Sequence, residues 1–367
     1  GSRCRYSRHM LTASPNHPFN LLRTLAVLAL VLAGFASQAQ TPVPVAPTGG
    51  IWDAGQGFDF GLKKKKEIAT RQSLSGIACA PNAAQQMVCL VVFDEGAEAR
   101  FATVGASQWV PKKADRVTLP GIRGELDAEA AATDGRYFYA TGSHSAKRSD
   151  CRSNPNSRHV VRFQRDPVTG GALRRADGAL VGYAETGRLW SILQAQPTLQ
   201  AHVGGCLDAQ GVNIEGLAVR DGRLYFGLRG PVLDGGAQVL LVDADALFNG
   251  GDVRATVTPL PLGPHRGIRD MVAVRDGFLL LTGPDDDPAQ QNTGWTVVWW
   301  DGKHTPDTKN LRTLAALDLS GVTLRPCDKE IKPEALAVLG ETPQTYTLLV
   351  LSDGVCDGGP LRFTVPR

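Results

Sequence analysis

Residues 212–230, VNIEGLAVRDGRLYFGLRG, decide the fold. They read as a β-hairpin, because Asp221-Gly222 separates two apolar runs and glycine accepts the positive φ of a tight turn. Glu215 stands near the start of the first run, and Arg229 ends the second. The predicted hairpin is therefore apolar along its length and charged at one end.

The same pattern recurs along the chain. Comparable hairpins begin at Glu129, Asp270 and Glu334, and a weaker copy has Ser75 at the acidic position. From Ser75 onward the steps between these anchors are 54, 86, 55 and 64 residues. A hairpin repeated at this period in an all-β chain is typical of a propeller. We predict an all-β fold, a β-propeller of five blades, with six blades as the alternative because the long step could contain a degenerate one.

The 86-residue step predicts an insertion at about residues 173–203. Within it, Leu189, Trp190, Ile192 and Leu193 lie at helical spacing. We expect one or two helices here, on the rim of the ring or over one mouth. The last apolar run, residues 361–365, is expected to complete the first blade, so that no sheet edge stays open.

The N-terminal residues predict export. In residues 1–39, arginines precede a short apolar run at 25–33, and small residues follow it, as in a secretory signal. The run is short for a membrane span, although an uncleaved anchor is the alternative. Residues 40–61 are rich in Pro and Gly and predict a loose linker. Residues 62–367 would form the propeller domain of a periplasmic or secreted monomer, without a membrane span after cleavage.

Cysteine content agrees with export. Cys4 falls in the signal segment, and an even number of cysteines remains, which suggests disulfides in an exported chain. Several pairings are possible, and free buried cysteines are the alternative. We favour Cys79 with Cys89 across one hairpin, Cys327 with Cys356 around the last hairpin, and Cys151 with Cys206 at the insertion.

Charge and motifs exclude several functions. The formal net charge is +3, and several of the positive charges lie in the first 25 residues, so no nucleic-acid partner is expected. The sequence has no C-x-x-C pair, G-x-S-x-G elbow, H-E-x-x-H motif or phosphate-binding Walker loop. These absences argue against a thiolate zinc site, an α/β-hydrolase, an H-E-x-x-H zinc protease and a P-loop nucleotide-binding protein.

The repeated acidic positions are the candidate site. Equivalent positions in successive blades surround one axis, so Glu129, Glu215, Asp270 and Glu334 should converge. Like charges at close range repel and must be offset by cations or a metal. Polar and cationic residues lie beside or just after the anchored hairpins in the sequence: Ser143, His144, Arg229, Arg266, Arg269 and Lys332.

Two interpretations of this set stay open. In the first, the four carboxylates hold a divalent cation such as Ca²⁺, which prefers oxygen ligands. The arginines, Lys332 and Ser143 then bind an anionic small molecule, and Glu129, Glu215, Asp270 or His144 acts as general base. In the second, the charges are structural, and each carboxylate accepts backbone N–H groups or pairs with an arginine of the neighbouring blade.

Four segments carry a resemblance to a known family. ELDAEAAATDGRYFYATGSHS, VNIEGLAVRDGRLYFGLRGP, RGIRDMVAVRDG and KPEALAVL with LLVLSDG resemble the bacterial domain-of-unknown-function family numbered 3616, from about Leu74 to the end. The resemblance implies a β-propeller and no established activity. More distantly, the anchors resemble esterase-like phytase propellers, which implies metal-dependent phosphoester hydrolysis at Glu129, Glu215, Asp270 and Glu334. Ser75 in the first anchor, and a shorter second anchor, depart from that pattern.

These observations give two functional hypotheses. The first is an exported propeller with an anionic-ligand site, or a metal-assisted phosphoester or ester hydrolase site, at one mouth of the ring. The alternative is a non-catalytic scaffold of the cell envelope that binds a protein partner through rim loops and the insertion.

Overall fold

Five antiparallel sheets form the described part of the chain. The computed structural model describes residues 41–119, 124–304 and 310–367, so the predicted signal segment 1–39 lies outside the described residues. Four of the sheets have four consecutive strands and the last has three. The all-β, five-bladed propeller is confirmed, and the described residues contain no sixth blade.

The strands follow the chain blade by blade. Blade 1 contains β2 (Leu74–Pro81), β3 (Met87–Phe93), β4 (Glu98–Val104) and β5 (Trp109–Thr118). Blade 2 contains β6 (Ala128–Thr133), β7 (Tyr137–Gly142), β8 (Val160–Gln164) and β9 (Ala184–Thr186). Blade 3 contains β10 (Asn213–Arg220), β11 (Arg223–Leu233), β12 (Gly236–Asp243) and β13 (Ala255–Leu260).

The last two blades complete the ring. Blade 4 contains β14 (Arg266–Val274), β15 (Gly277–Pro284), β16 (Thr296–Trp300) and β17 (Leu311–Leu317). Blade 5 contains β18 (Lys332–Glu341), β19 (Thr345–Asp353) and β20 (Leu361–Pro366). The innermost strands β2, β6, β10, β14 and β18 pack in sequence, and β18 also packs on β2.

The two chain ends pair differently from the prediction. Strand β20 pairs with β19 in blade 5, not with blade 1, because a short turn at Cys356–Gly358 returns the chain directly alongside β19. The short strand β1 (Pro44–Val45) pairs in parallel with β17 of blade 4. The ring therefore closes through packing of blade 5 on blade 1.

Residues 42–61, expected to form a loose linker, lie against the ring. Trp52 and Phe58 are buried, and the Phe58 N–H donates to Asp357 Oδ1 at 2.9 Å. Arg71, in the helix α1 (Lys64–Arg71), contacts the same carboxylate with Nη2 at 2.6 Å. The apolar residues of this Pro- and Gly-rich segment explain the docking, since they bury surface that a linker would expose.

The insertion is less helical than its pattern predicts. Its helix is α2 (Leu189–Gln194), while β9 occupies part of the stretch expected to be helical. Leu189 and Leu193 are fully buried in the apolar cluster between blades 2 and 3. A second short helix, α3 (Ala244–Asn249), packs in the same cluster through Leu247.

The three favoured disulfides are confirmed, since Cys79–Cys89, Cys151–Cys206 and Cys327–Cys356 are all bonded. The first lies within blade 1, between paired residues of β2 and β3. Within the described residues, no helix has the length and apolar character needed to cross a membrane.

Candidate functional site

A β-bulge opens the innermost strand of every blade. Where each of these strands pairs with its neighbour, the register skips one residue near the start. A bulge leaves the extra residue unpaired and re-aims its side chain. The skipped residues, which we call the bulge ring, are Ser75, Glu129, Glu215, Arg269 and Glu334.

The fourth member of the bulge ring corrects the sequence prediction. The spacing of acidic residues placed Asp270 at this position, but the skipped residue is Arg269. Asp270 is fully buried, and its two oxygens accept from the N–H groups of Met271 at 2.7 Å and Leu336 at 2.8 Å. Asp270 is therefore bonded to backbone and lies outside the cavity described next, so it is removed from the predicted catalytic and metal-binding sets.

A cavity of about 1070 Å³ lies at the end of the ring where the innermost strands begin. Glu129, Glu215 and Glu334 of the bulge ring line it, as do Arg229 and Lys332. The lining contains twice as many acidic as basic side chains. The acidic ones are Asp94, Glu95, Glu125, Asp127, Glu129, Glu215, Glu334 and Asp353, and the basic ones are Lys147, Arg148, Arg229 and Lys332.

Arg269 joins two of the carboxylates. Its Nε lies 2.7 Å from Glu215 Oε2 of blade 3, and its Nη2 donates to Glu334 Oε1 of blade 5 at 2.6 Å. Its Nη1 donates to the Pro284 carbonyl at 3.1 Å. Because Arg269 is 1% exposed, these contacts occupy a guanidinium that solvent hardly reaches.

Arg229 is held by two acidic residues. Its Nη1 donates to Glu215 Oε1 at 3.1 Å, and its Nε lies 3.2 Å from Asp286 Oδ1. Asp286 also accepts from Arg148 Nη2 at 2.8 Å and from the Asn213 side chain at 3.2 Å. The arginines at this mouth are therefore paired within the protein.

Lys332 is paired as well. Its Nζ lies 3.0 Å from Glu330 Oε1 and 3.3 Å from Asp353 Oδ2. Among the basic residues that line the cavity, Lys147 alone makes no ion pair with another described residue. Little positive charge is left to bind an anion directly.

The acidic side of the cavity is not balanced in the same way. No ion pair or hydrogen bond to the Glu129 carboxylate is found within the described residues, and Glu129 is partly exposed to the cavity. Asp94 has one buried oxygen, Oδ1, without a hydrogen-bond partner in the same part of the chain. Asp127 accepts from Ser143 Oγ.

These environments move the carboxyl pKa values in opposite directions. Burial raises the pKa of Glu129 well above its ordinary value, and the charges of Asp127 and Glu215 raise it further. Burial also acts to raise the pKa of Glu215, but Arg269 and Arg229 outweigh it and the pKa is lowered. Burial raises the pKa of Glu334 to about 7 although Arg269 opposes the shift. Burial and the Asp353 charge raise the pKa of Asp94 well above its ordinary value.

Three other predicted residues lie outside the cavity lining. His144 is fully buried, its Nδ1 lies 3.0 Å from the Gly142 carbonyl oxygen, and burial lowers its pKa to about 4. Ser143 Oγ contacts Asp127 and, at 2.9 Å, Ser145 Oγ. Arg266 donates to the carbonyls of Thr293 and Gly294 at 2.8 and 3.1 Å. None of the three is placed to touch a ligand in the cavity.

The four carboxylates predicted to hold a metal do not fit one together. Asp270 is turned away, and Arg269 and Arg229 occupy oxygens of Glu215 and Glu334. Within the described residues, one group of three or more potential ligand atoms lies within 4.8 Å of one another, at Cys151, Cys206 and Asp208. Its two cysteines form a disulfide, so that group is not a metal site either.

Several lining residues were missed from the sequence. Asp94 directly follows β3, and Asp353 ends β19, so both stand at the close of the second strand of a blade. That shared position is a signal that the sequence contains. Lys147 and Arg148 lie on a loop of blade 2, and no repeat signal marks them.

Comparisons with known proteins give a family and a fold. The sequence profile of DUF3616, described as a protein of unknown function, matches residues 102–166 and 171–358. No curated protein shows significant sequence similarity to this chain. The more distant resemblance to phytase propellers is not shown by these comparisons.

Among solved structures, the chain is similar to propeller glycoside hydrolases. One is a GH43 β-1,3-galactosidase with galactodeoxynojirimycin, at 9% identity over 87% of this chain and 94% of that chain, with a TM-score of 0.44. Another is an α-L-arabinofuranosidase from Lactobacillus brevis, at 10% identity over 80% and 90%, with a TM-score of 0.44. At these values no residue equivalence or activity is transferred to this chain.

Proposed function

The chain belongs to the DUF3616 family, whose function is unknown, and we propose that it is a hydrolase with a carboxyl acid–base pair in the cavity at the mouth of the ring. One observation carries the proposal. Glu215 is held by two arginines, while Glu129 lines the same cavity without a cationic partner among the described residues. Two carboxyl groups in contrasting environments are a recurring arrangement for an acid and a base.

The proposed roles follow from the charges. Burial raises the pKa of Glu129, which makes it the proposed acid that donates a proton to the leaving-group oxygen. Glu215, which is ionised, takes a proton from the attacking water or stabilises positive charge on the substrate. Arg229 and Arg269 hold Glu215 in place and keep it ionised.

The excess of carboxylates in the cavity lining also indicates the charge of the substrate. A glycosidic bond suits the site best, because its transition state gains positive charge, which a surplus of carboxylates stabilises. Ester and phosphoester transition states gain negative charge instead and require cationic or N–H donors. The substrate proposed first is therefore a neutral glycoside, and the predicted anionic ligand would require a cation as well.

A panel of chromogenic substrates tests the proposal. Neutral 4-nitrophenyl glycosides, 4-nitrophenyl acetate and 4-nitrophenyl phosphate are offered to the wild-type chain, E129Q and E215Q. We expect turnover of a glycoside, reduced by about 10²- to 10⁴-fold in each variant. E341Q is the matched control, because Glu341 ends the innermost strand β18 at the opposite mouth. Equal turnover by E129Q and the wild type would remove Glu129 from the mechanism.

Asp94 supports a second candidate, metal-assisted hydrolysis of a phosphoester or ester. Within the described part of the chain, Asp94 Oδ1 and the Glu129 carboxylate have no hydrogen-bond or ion-pair partner, and both residues line the cavity with oxygen ligands. A divalent cation such as Ca²⁺ held there would supply positive charge toward a phosphoester, since such ions use one or two carboxylates with water and substrate oxygens. Thermal unfolding with EDTA and then with Ca²⁺ tests this, because an ion that binds the native state raises the midpoint.

We propose a periplasmic or secreted location for the protein, and three disulfides support it. We also propose that the protein is a monomer. The alternative function, an envelope scaffold that binds a protein partner through its rim loops, ranks below the hydrolase. A chain that hydrolyses no substrate of the panel and shows no ion-dependent shift would favour the scaffold.

A further inference from the structure

Arg269 is the cationic member of an otherwise acidic or neutral bulge ring. The other members are Ser75, Glu129, Glu215 and Glu334. Because adjacent members come from adjacent blades, Arg269 of blade 4 stands between Glu215 of blade 3 and Glu334 of blade 5. Its guanidinium contacts both, at 2.7 and 2.6 Å.

Arg269 and Arg229 differ in what they can touch. Arg229 lines the cavity and pairs with Asp286 as well as with Glu215. Arg269 lies outside the cavity lining, and its two charged partners are Glu215 and Glu334. A ligand in the cavity can therefore meet Arg229, whereas Arg269 can act on a ligand only through these two carboxylates.

We propose that Arg269 is the positioning residue of the site and that it ties Glu215 and Glu334 into one electrostatic unit. This inference rests on the proposed function, in which Glu215 is the ionised partner. Arg269 Nε lies 2.7 Å from Glu215 Oε2 as a charge contact without hydrogen-bond geometry, while Arg229 and Asn213 donate to Oε1 at 3.1 Å each. Without Arg269, Glu215 keeps its ion pair with Arg229, whereas Glu334 loses its ion pair with Arg269.

A guanidinium is needed for this arrangement. Its planar fork donates from Nη2 to Glu334 and from Nη1 to the Pro284 carbonyl, and at the same time holds the charged Nε within 2.7 Å of Glu215 of another blade. A lysine ammonium at the same position would carry the charge on one atom and could not keep all three contacts. Arg269→Lys should therefore preserve only part of the effect, and Arg269→Met should lose it.

The test is a titration of the side-chain carboxyls by NMR in the full chain labelled with ¹³C-glutamate, with E215Q and E334Q used to assign the signals. In R269M we expect the midpoints of Glu215 and Glu334 to rise by about one pH unit or more, because an opposite charge within contact distance lowers a carboxyl pKa by that amount. R266M is the matched control. Arg266 lies on the same strand β14, but its hydrogen bonds go to Thr282 and to backbone carbonyls of residues 293–294.

E215Q gives an independent measurement if R269M does not fold. Glu215 is ionised at the pH where Glu334 titrates, because the pKa of Glu215 is lowered and that of Glu334 is raised. Removing the Glu215 charge while Arg269 stays should lower the midpoint of Glu334, since a like charge that shares its cation is gone. Unchanged titration of Glu215 and Glu334 in R269M, or an unchanged Glu334 midpoint in E215Q, would overturn the inference.

Activity separates this inference from the proposed function. If a substrate of the panel is hydrolysed, the acid limb of the pH–rate profile should move to higher pH in R269M by the same amount as the Glu215 midpoint. A matching titration without hydrolysis of any substrate would overturn the proposed hydrolase and leave the Arg269 unit standing as a charge network. Hydrolysis with an unshifted pH–rate profile in R269M would leave the proposed hydrolase standing and overturn the role of Arg269 as a positioning residue.

Discussion

The Asp270 carboxylate accepts a hydrogen bond from the backbone N–H of Leu336 at 2.8 Å, which ties the innermost strand of blade 4 to that of blade 5. Its other oxygen accepts from the Met271 N–H at 2.7 Å. Burial raises the pKa of Asp270 well above its ordinary value, although these backbone donors oppose the shift. Arg269 and Asp270 thus face different ways from one bulge, the first toward the carboxylates and the second toward backbone.

D270A should destabilise the ring without changing the cavity. The variant leaves two buried N–H groups without an acceptor, at a cost of about 1–3 kcal/mol for each. Urea unfolding measures the loss. D252A, at an exposed position, is the control and should change the free energy of unfolding by less than about 0.5 kcal/mol. Equal values for the two variants would show that the Leu336 bond contributes nothing to stability.

Local signals made the repeat predictable from the sequence. Turn residues between apolar runs mark the hairpins, and Cys79 and Cys89 face each other within one of them. The acidic pattern places the anchor of blade 4 one residue too late, at Asp270, because acidic character there does not follow the apolar register. Aligning Met271 with Leu217 and Leu336 would have placed Arg269, not Asp270, beside the glutamates.

Tertiary contacts decided what the sequence did not show. Residues 42–61 are bonded to Asp357, far along the chain, and the composition of the segment does not identify that partner. Arg229 and Arg269 were predicted to bind an anionic ligand. In the structure they form ion pairs with Glu215, Asp286 and Glu334 instead. A list of charged residues carries no information on which charges cancel one another.

The contribution of Glu334 to the free energy of unfolding should fall as pH rises from about 4.5 to about 7, while that of His144, whose pKa burial lowers to about 4, rises with pH up to about 6.5. Over this window the native state keeps a proton on Glu334, whose pKa is about 7, while the unfolded chain has released it from a group with an ordinary value of 4.5. Stability then falls with pH by at most about 1.4 kcal/mol per unit for each such proton. Glu215, with its lowered pKa, acts in the opposite sense and costs stability as pH falls below its ordinary value.

E334Q checks the source of that slope. Glutamine cannot ionise, so the decrease between pH 4.5 and 7 should be smaller in the variant than in the wild type, by up to one proton. Urea unfolding at a series of pH values gives both slopes. If the free energy of unfolding of E334Q and of the wild type falls equally with pH, the slope belongs to Glu129, Asp94 or Asp270 instead.

Arg148 and Asp286 should differ in their importance for stability. The Arg148 side chain is 57% exposed, whereas that of Asp286 is 1% exposed. R148M removes one partly exposed ion pair and leaves Asp286 with Arg229 and Asn213, so a loss of no more than about 1 kcal/mol is expected. D286A removes one of the two carboxylates that pair with buried Arg229, which keeps Glu215, and should cost about 1.5–3 kcal/mol. Chemical unfolding of both variants measures the difference, and equal losses would mean that Asp286 depends on Arg148 alone.

Asp357 should control the docking of residues 42–61. Its oxygens accept from the Phe58 N–H at 2.9 Å and from Arg71 Nη2 at 2.6 Å. D357N replaces one acceptor with a donor that faces Arg71, and asparagine tolerates the positive φ of 59° at this position. We expect D357N to weaken the docking of residues 42–61 by about 1.4 kcal/mol. Their amide hydrogens should then exchange about tenfold faster, as measured by mass spectrometry. D234N makes the same change at another positive φ, of 50°, on an exposed turn and should leave this exchange unaltered. If exchange in D357N matches the wild type, burial of Trp52 and Phe58 holds the segment without the ion pair.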